Sequence, residues 1–271
     1  MIVETSPEKY VRYLLRSTHE RLTPTRILRA VQGYVPGTSR AEVRAIIRAM
    51  VTRGDIKYTS HFSSTYLEWV GTHQISDRIT VSDVMRAAPP SEGPAITVVI
   101  SGGASFGGGE HPTTRMALRG IDHVTQILDC KTPLAQTVGL DIGTGSGVLA
   151  IAAAMLGMGK VWAVDTDLVA CHEARMNVYR NGVQAKVDVV GGSLESTPEG
   201  SYDLIMANLR SPTLVSLFDV MAKRTRSGGF WVLSGFRPEE GNTLSGCLPE
   251  GSQITWRDSD RAWQALQVQL K

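Results

Sequence analysis

The sequence of 271 residues lacks any long apolar run and has few cysteines. No stretch approaches the roughly 20 consecutive apolar residues that a transmembrane helix needs, so we expect no membrane contact. The segment MIVETSPEKY has no basic region followed by an apolar one, and we therefore expect no signal peptide and a cytoplasmic location. The three cysteines, Cys130, Cys171 and Cys247, lie far apart without disulfide or metal-ligand spacing, which indicates thiols in a reducing compartment and no metal site.

Acidic residues are scarce in the first quarter of the chain. Residues 1–70 carry 11 lysines and arginines against 6 aspartates and glutamates, whereas the remainder carries 17 against 20. A basic amino-terminal module on an acidic body favours an anionic partner for that module. An ordinary solvated basic surface would have the same composition, so both interpretations stay open.

The first 70 residues have the pattern of three short helices followed by a hairpin. Ser6 begins the first helix, and the Thr-Pro-Thr segment at 23–25 begins the second. Ser39 with Glu42 three residues later forms a capping box at the start of the third. The following run, DIKYTSHFSSTYLEWV, alternates and turns as two strands. Three helices and a two-stranded wing predict a winged-helix domain over residues 1–70.

Three arginines recur on the third of these helices. Arg40, Arg44 and Arg48 are four residues apart, on the face opposite the apolar positions. In a winged helix this element can enter a major groove, so nucleic acid is one candidate partner. Winged-helix modules also dock proteins, and a row of arginines also occurs on plain solvated faces. We therefore expect a protein partner, a nucleic acid or only solvent at this face.

The pattern changes after the first domain. Residues 71–104 are predicted to form a linker, which includes AAPPSEGP, and leading strands such as AITVVIS. Over residues 105–271 short β-branched runs alternate with helical segments, one of them at 212–226, which predicts a parallel sheet covered on both faces. The last two strands, QITWRDSD and AWQALQVQL, have no helix between them and should form a hairpin at one edge of the sheet.

A glycine-rich turn and a downstream acid predict a nucleoside site. In LDIGTGSGVLAIAAA the glycines Gly143, Gly145 and Gly147 allow close approach of a ligand to the backbone. Eighteen residues after Gly147 the next strand ends in Asp165, where a carboxylate can accept hydrogen bonds from both ribose hydroxyls of an adenosine. The spacing Asp-x-Gly-x-Gly-x-Gly differs from the Gly-x-Gly-x-x-Gly of dinucleotide enzymes, which favours S-adenosylmethionine over NAD. The acid before the glycines, Asp141, is a candidate for meeting the charged amino-acid end of that cofactor.

Six segments together resemble one methyltransferase family. They are FGGGEHPTT (106–114), DIGTGSGVLAIAA (141–153), VDTD (164–167), RNGV (180–183), ANL (207–209) and SGGFWVLSGF (227–236). The glycine turn and acid resemble motifs I and II of class I methyltransferases. The whole set is similar to the ribosomal-protein (PrmA-like) methyltransferases, which methylate amino groups on a large-subunit ribosomal protein. The resemblance implies an α/β fold with a seven-stranded Rossmann-like sheet, S-adenosyl-L-methionine as cofactor and a protein substrate.

The resemblance also implies roles for individual residues. In the family the glycine-rich loop folds over the cofactor, and the position of Thr114 contacts it. Gly143, Asp165 and Asn208 are likewise expected at the cofactor. Phe106 is a candidate for contact with an apolar part of the cofactor, and Ser193 for a position near the adenine; a core contact and a turn residue are the alternatives for these two.

Asn208 is also the candidate for positioning the substrate. It ends the fourth strand, where an amide oxygen can hold a neutral amine with its lone pair directed at the methyl carbon. The chain has Asn-Leu-Arg-Ser here and not Asn-Pro-Pro-Tyr, which favours an aliphatic amine over a nucleobase. Methyl transfer requires alignment of the reacting atoms and removal of a proton from the substrate ammonium group. Glu110 and His111 are the nearest candidates for accepting that proton or for steering a cationic substrate.

Three functions remain open on the sequence. The first is S-adenosylmethionine-dependent N-methylation of a protein, with the winged helix docking that protein. The second keeps the cofactor and makes the acceptor a nucleic acid or a small molecule. The third is a cofactor-sensing regulator without activity. The amino-terminal domain departs from the α/β recognition domain of the family, which puts the substrate in doubt.

Overall fold

The computed structural model describes residues 6–17, 22–61, 64–69, 72–83, 95–101, 107, 109 and 111–271. Contacts between residues divide the chain into two compact units, Met1–Gly71 and Thr72–Lys271.

The first unit contains three helices and a two-stranded antiparallel sheet. Its elements are α1 (Pro7–Ser17), α2 (Pro24–Tyr34), α3 (Arg40–Thr52), β1 (Ile56–His61) and β2 (Ser64–Trp69). The Thr23 hydroxyl accepts a hydrogen bond from the Arg26 backbone N–H, and the Ser39 hydroxyl accepts one from Glu42 N–H, so each caps the helix that follows. This order of elements agrees with the predicted one; its assignment to the winged-helix class stays a prediction.

The two faces of α3 differ in polarity as its sequence period requires. Val43, Ile47 and Met50 are buried in the core of the first unit. Arg40, Arg44 and Arg48 are exposed on the opposite face. No ion pair joins these arginines to another group in the described part of the chain.

The second unit is built on a seven-stranded mixed sheet. Its strands are β6 (Val138–Ile142), β7 (Lys160–Asp165), β8 (Val187–Gly191), β9 (Tyr202–Asn208), β10 (Thr225–Phe236), β11 (Gln253–Asp260) and β12 (Trp263–Gln269). The sheet order is β11-β12-β10-β9-β6-β7-β8, in which β12 pairs antiparallel with both β10 and β11. The other neighbours run parallel, so β6, β7, β9 and β10 end at one edge. The predicted α/β sheet and its terminal hairpin are therefore present.

Five helices cover the two faces of this sheet. They are α4 (Pro112–Asp129), α5 (Val148–Met155), α6 (Leu168–Arg180), α7 (Ser211–Lys223) and α8 (Pro238–Gly246). Side chains of β10 alternate between the two layers: Phe230 and Val232 pack in the core with α4 and α5, whereas Trp231 and Leu233 pack in the core with α7 and α8.

Two strand and helix predictions differ from the structure, and one helix was not predicted. The run AITVVIS lies in a separate three-stranded sheet, in which β5 (Ile96–Ile100) pairs with β4 (Ile79–Asp83) and β4 pairs with β3 (His73–Gln74). The helix expected over 212–226 ends at Lys223, and Thr225 already pairs in β10. The α8 helix was not expected from the sequence.

No helix in the described ranges is long and apolar enough to cross a membrane. Within the same ranges no group of three or more histidine, cysteine or acidic residues could hold a metal ion. The three cysteines are free, and Cys171 is the buried one of the three.

Candidate active site

A cavity of about 700 Å³ lies at the edge where the parallel strands of the second unit end. Ligands of open α/β sheets bind in this crevice, outside the carboxyl ends of the strands. Its walls come from the start of α4, the turn after β6, the ends of β7 and β9, and the segment after β8. The predicted residues on its walls are Thr114, Gly143, Gly145, Asp165, Ser193 and Asn208.

Asp165 lies at the end of β7 and is held by two backbone amides. Its Oδ2 accepts a hydrogen bond from Gly145 N–H at 2.9 Å, and its Oδ1 accepts one from Asp167 N–H at 3.0 Å. Two carboxylate oxygens offer about four acceptor positions, so capacity remains for further donors such as a pair of ribose hydroxyls. The carboxylate is therefore oriented before any ligand arrives.

The glycine turn after β6 packs closely against the segment that follows β9. Gly143 has a φ of +70°, and a Cβ added there would lie 2.6 Å from Leu209 Cδ2. A side chain at this position would meet both backbone strain and a clash. The turn thus brings bare backbone to the cavity wall beside Leu209 and Asn208.

Asp141 lies beneath the cavity and does not line it. Its Oδ2 accepts hydrogen bonds from the Thr144 hydroxyl at 2.6 Å and from Ala150 N–H at 3.2 Å, while its Oδ1 has no partner in the described residues. Burial raises the pKa of Asp141 to about 7. Asp141 therefore joins the glycine turn to the start of α5, and its direct contact with the cofactor stays a prediction.

The start of α4 brings a histidine and a threonine to the cavity. Pro112 is the first residue of the helix, and its cap is His111, whose Nδ1 accepts a hydrogen bond from Thr113 N–H at 3.3 Å. Burial lowers the pKa of His111, which agrees with a neutral ring that accepts at Nδ1. Thr114 is fully buried on the cavity wall, where its Oγ1 accepts a hydrogen bond of 3.4 Å from Asn208 Nδ2.

A serine of the glycine turn holds the chain that precedes α4. Ser146 Oγ donates to Gly107 O at 2.8 Å, and Asn177 Nδ2 donates to Ser146 O at 2.9 Å. Gly107 also lines the cavity. The glycine-rich segment is thereby tied to the same turn that carries Gly145.

Two of the predicted positions cannot be compared with the cavity wall. Phe106 and Glu110 fall outside the described residues. Ser193 lines the cavity after β8, and its hydroxyl donates to Glu195 Oε2 at 2.6 Å. The role of each site residue toward the cofactor stays a prediction.

Three residues that the sequence did not predict also line the cavity. Leu209 and Arg210 follow Asn208 directly, and Trp263 begins β12. Trp263 packs edge-on against the His111 ring, with ring centres 5.2 Å apart. These residues make a wall that is partly apolar and partly cationic on the Asn208 side of the cavity.

The chain is similar to known proteins over most of the second unit. Residues 64–271 match the family model described as ribosomal protein L11 methyltransferase (PrmA). The ribosomal protein L11 methyltransferase of Neisseria gonorrhoeae is 32% identical over 234 residues, which cover 83% of this chain and 75% of that protein. The corresponding protein of Bacillus cytotoxicus is 37% identical over 175 residues, covering 65% and 54%. A crystal structure of ribosomal protein L11 methylase from Lactobacillus delbrueckii subsp. bulgaricus has a TM-score of 0.65 and 26% identity, covering 74% of this chain and 99% of that one.

Proposed function

The chain belongs to the ribosomal protein L11 methyltransferase (PrmA) family, and from that premise we propose that it methylates an amino group of a protein substrate. Family membership makes it an S-adenosylmethionine-dependent methyltransferase, which favours an active enzyme over an inactive sensor. The relatives named above are methyltransferases of ribosomal protein L11 by name, and a protein of that kind is the proposed substrate class.

One observation carries the proposal. The same cavity is lined by the Asp165 carboxylate at one end and by the Asn208 amide at the other, two strands away in the sheet order. An acid suits the ribose of the cofactor, and an amide suits a neutral amine at the end of a strand. The cavity is also lined by Leu149, Ala170, Leu194 and Leu209, which suit the apolar surface of an adenine and of a thioether.

The cofactor supplies the methyl group as a carbon bound to a sulfonium, so the protein needs little acid-base chemistry. We propose that Asp165 binds the ribose, that the Gly143–Gly145 backbone admits the amino-acid end, and that Asn208 orients the acceptor amine. Thr114 supports Asn208, because the Asn208 amide N–H donates to its hydroxyl and the amide oxygen stays available for the substrate. His111 Nδ1 is occupied as the cap of α4, so we assign His111 to shaping the acceptor side and not to taking the proton.

A transfer assay tests this function. Cell extract incubated with the enzyme and radiolabelled methyl donor should carry label in protein, and purified ribosomal protein L11 should accept label when added alone. Label in the nucleic-acid or small-molecule fraction would overturn the choice of acceptor. Failure of S-adenosylhomocysteine to bind by calorimetry would overturn the cofactor site itself.

The first unit has a separate proposed role. Residues 6–61 fall before the region that the family model matches. We propose that this unit is a winged-helix module that docks the protein substrate.

The free thiols are in keeping with the proposed cytoplasmic location.

Nucleic-acid binding is a second candidate role for the first unit, favoured by the exposed row of Arg40, Arg44 and Arg48 on α3. Duplex binding that weakens steeply with salt and is lost in Arg44→Glu would support it. Binding that is absent, or unchanged in Arg44→Glu, would leave protein docking as the role of this unit.

A further inference from the structure

The acceptor side of the cavity carries cationic side chains that the reaction itself does not require. Arg210 follows Asn208 by two positions, is exposed and lines the cavity. Arg237 follows β10, the strand beside β9, and its guanidinium lies 5.6 Å from the centre of the Trp263 ring. Arg210 therefore lies on the cavity wall next to Asn208, and Arg237 contacts Trp263, which lines the same cavity.

Asp258 and Asp260 of β11 are ion-paired, whereas the guanidinium groups of Arg210 and Arg237 have no ion pair in the described part of the chain. Asp258 pairs with Arg119 at 2.7 Å, and Asp260 pairs with Arg261 at 3.5 Å. Glu240 accepts a hydrogen bond from the backbone N–H of Arg237 and not from its side chain.

The remaining carboxylates of the cavity lie elsewhere. Asp165 and Asp167 follow β7, which is separated from β9 by β6. Each accepts a backbone amide: Asp165 from Gly145, and Asp167 from Val169. The positive charge beside Asn208 is therefore not neutralised within the described residues of the cavity wall.

The helix that starts at this point adds to the same field. Arg210 is the residue before α7, a helix of 13 residues with no acidic residue in its first turn. The first turn of a helix carries a partial positive charge, so it reinforces the attraction of an anion to Arg210. The first turn of α8, after Arg237, contains Glu239 and Glu240, which makes Arg210 the stronger of the two sites.

We propose that Arg210, assisted by Arg237, binds a carboxylate that the protein substrate carries next to the amino group to be methylated. An arginine holds a carboxylate through two parallel hydrogen bonds, which fixes direction as well as position. Such a contact places the acceptor amine beside Asn208 and disfavours an acceptor surrounded by lysines, because like charges would then meet at the rim. Arg210 is thus a specificity-determining residue, and this inference rests on the proposed protein methyltransferase function.

Binding of matched peptides tests the proposal without depending on turnover. Three labelled peptides with one central lysine would carry aspartate, asparagine or lysine on both sides of it. Their affinity would be measured by fluorescence anisotropy with and without saturating S-adenosylhomocysteine, for the wild type, Arg210→Gln, Arg210→Glu and Arg237→Gln. Arg257→Gln is the matched control, because Arg257 is exposed on β11 and does not line the cavity.

The wild type should bind the aspartate peptide about 5- to 10-fold more tightly than the asparagine peptide, a preference that falls with salt. Arg210→Gln should abolish most of this preference, Arg237→Gln part of it, and Arg257→Gln none. Arg210→Glu should reverse the order and favour the lysine-flanked peptide. A reversed preference would show that charge at this position selects the substrate, which loss of folding could not produce.

The inference is overturned if the wild type binds no peptide, binds the three equally, or keeps its preference in Arg210→Gln. It is also overturned if a short RNA displaces the aspartate peptide from the wild type and does not bind Arg210→Gln, which would assign the arginine to phosphate. Failure of the proposed function would look different, since S-adenosylhomocysteine would then not bind or no label would reach protein.

Discussion

The backbone N–H of Gly145 donates a 2.9 Å hydrogen bond to the Asp165 carboxylate, so the turn after β6 and the acid that ends β7 hold each other in place. The two residues are adjacent because β6 and β7 pair in parallel and end at the same edge of the sheet. The acid is thus already oriented for the ribose, and little of its binding energy goes into ordering the side chain.

Asp165→Asn should weaken binding of S-adenosylhomocysteine. The amide lacks the charge that strengthens hydrogen bonds to the ribose. Its NH2 group cannot accept a hydrogen bond, so it cannot keep both the bond from Gly145 N–H and the bond from Asp167 N–H. We expect a loss of about 1.5–3 kcal/mol, or roughly 10- to 150-fold in Kd by calorimetry. Asp219→Asn, the same change at an exposed aspartate outside the cavity wall, should leave Kd unchanged. Equal affinities of Asp165→Asn and wild type would place the cofactor elsewhere.

Asn208→Ala should lower kcat far more than it lowers cofactor affinity. Removing the amide leaves the acceptor amine without a partner that aligns its lone pair, and misplacement of that kind costs on the order of 100-fold in rate. Single-turnover transfer to protein and calorimetry with S-adenosylhomocysteine separate the two effects. Asn242→Ala, an exposed site on α8, is the control and should keep full activity. A variant with normal kcat would remove Asn208 from the reaction.

Gly143→Ala should destabilise the second unit more than Gly182→Ala does. Both glycines have positive φ, but an added Cβ at Gly143 meets Leu209 Cδ2 at 2.6 Å, whereas at Gly182 no atom lies within 4 Å. Backbone strain alone costs about 1–2 kcal/mol at either site, so a lower Tm in Gly143→Ala would report the clash. Adding Leu209→Ala should recover part of that Tm loss. Equal Tm values for the two glycine variants would contradict the close packing of the turn against Leu209.

The family, the α/β sheet and the position of the cavity were all predictable, because glycine turns and strand ends are read from local sequence. The resemblance to the PrmA-like family is confirmed by the match over residues 64–271. The pattern of AITVVIS also predicts a strand, but not its neighbour. That run lies outside the main sheet because it pairs with β4, and because Val99 N–H and C=O are bound by the Asn181 side chain. The pairing partners of a strand are distant in the sequence, so they cannot be predicted from a short β-branched run alone.

Two further features were not predicted, and only the first, α8, has a physical reason for being missed. The α8 sequence PEEGNTLSG buries only Gly241 and Leu244, so it has almost no apolar period to detect. Trp263, in contrast, could have been placed. The predicted edge hairpin runs antiparallel beside β10, so the start of β12 must lie near the end of β10, where Phe236 pairs with Gln264. Its place on the cavity wall follows from that register.

The buried carboxyl of Asp141 should make stability depend on pH in a direction opposite to that of an ion-paired aspartate. Burial raises its pKa in the folded protein from the ordinary value of 3.8 to about 7. Between these values the folded chain holds a proton that the unfolded chain has released, so raising the pH across this window lowers stability. Above about pH 7 both states are ionised at this residue, and the loss levels off.

Asp141→Asn removes this titration while keeping an oxygen that can accept from Thr144 and Ala150. The Tm difference, variant minus wild type, should therefore rise from pH 4.5 to pH 7.5 and stay flat at higher pH, whatever its absolute sign. Thermal unfolding at six pH values, with Asp219→Asn as the control for replacing an exposed aspartate, measures it. A Tm difference that is constant over the whole range would mean that Asp141 is ionised in the folded protein throughout. The glycine turn would then rest on a buried charge, and some donor must reach Oδ1, the oxygen that has no partner in the described residues.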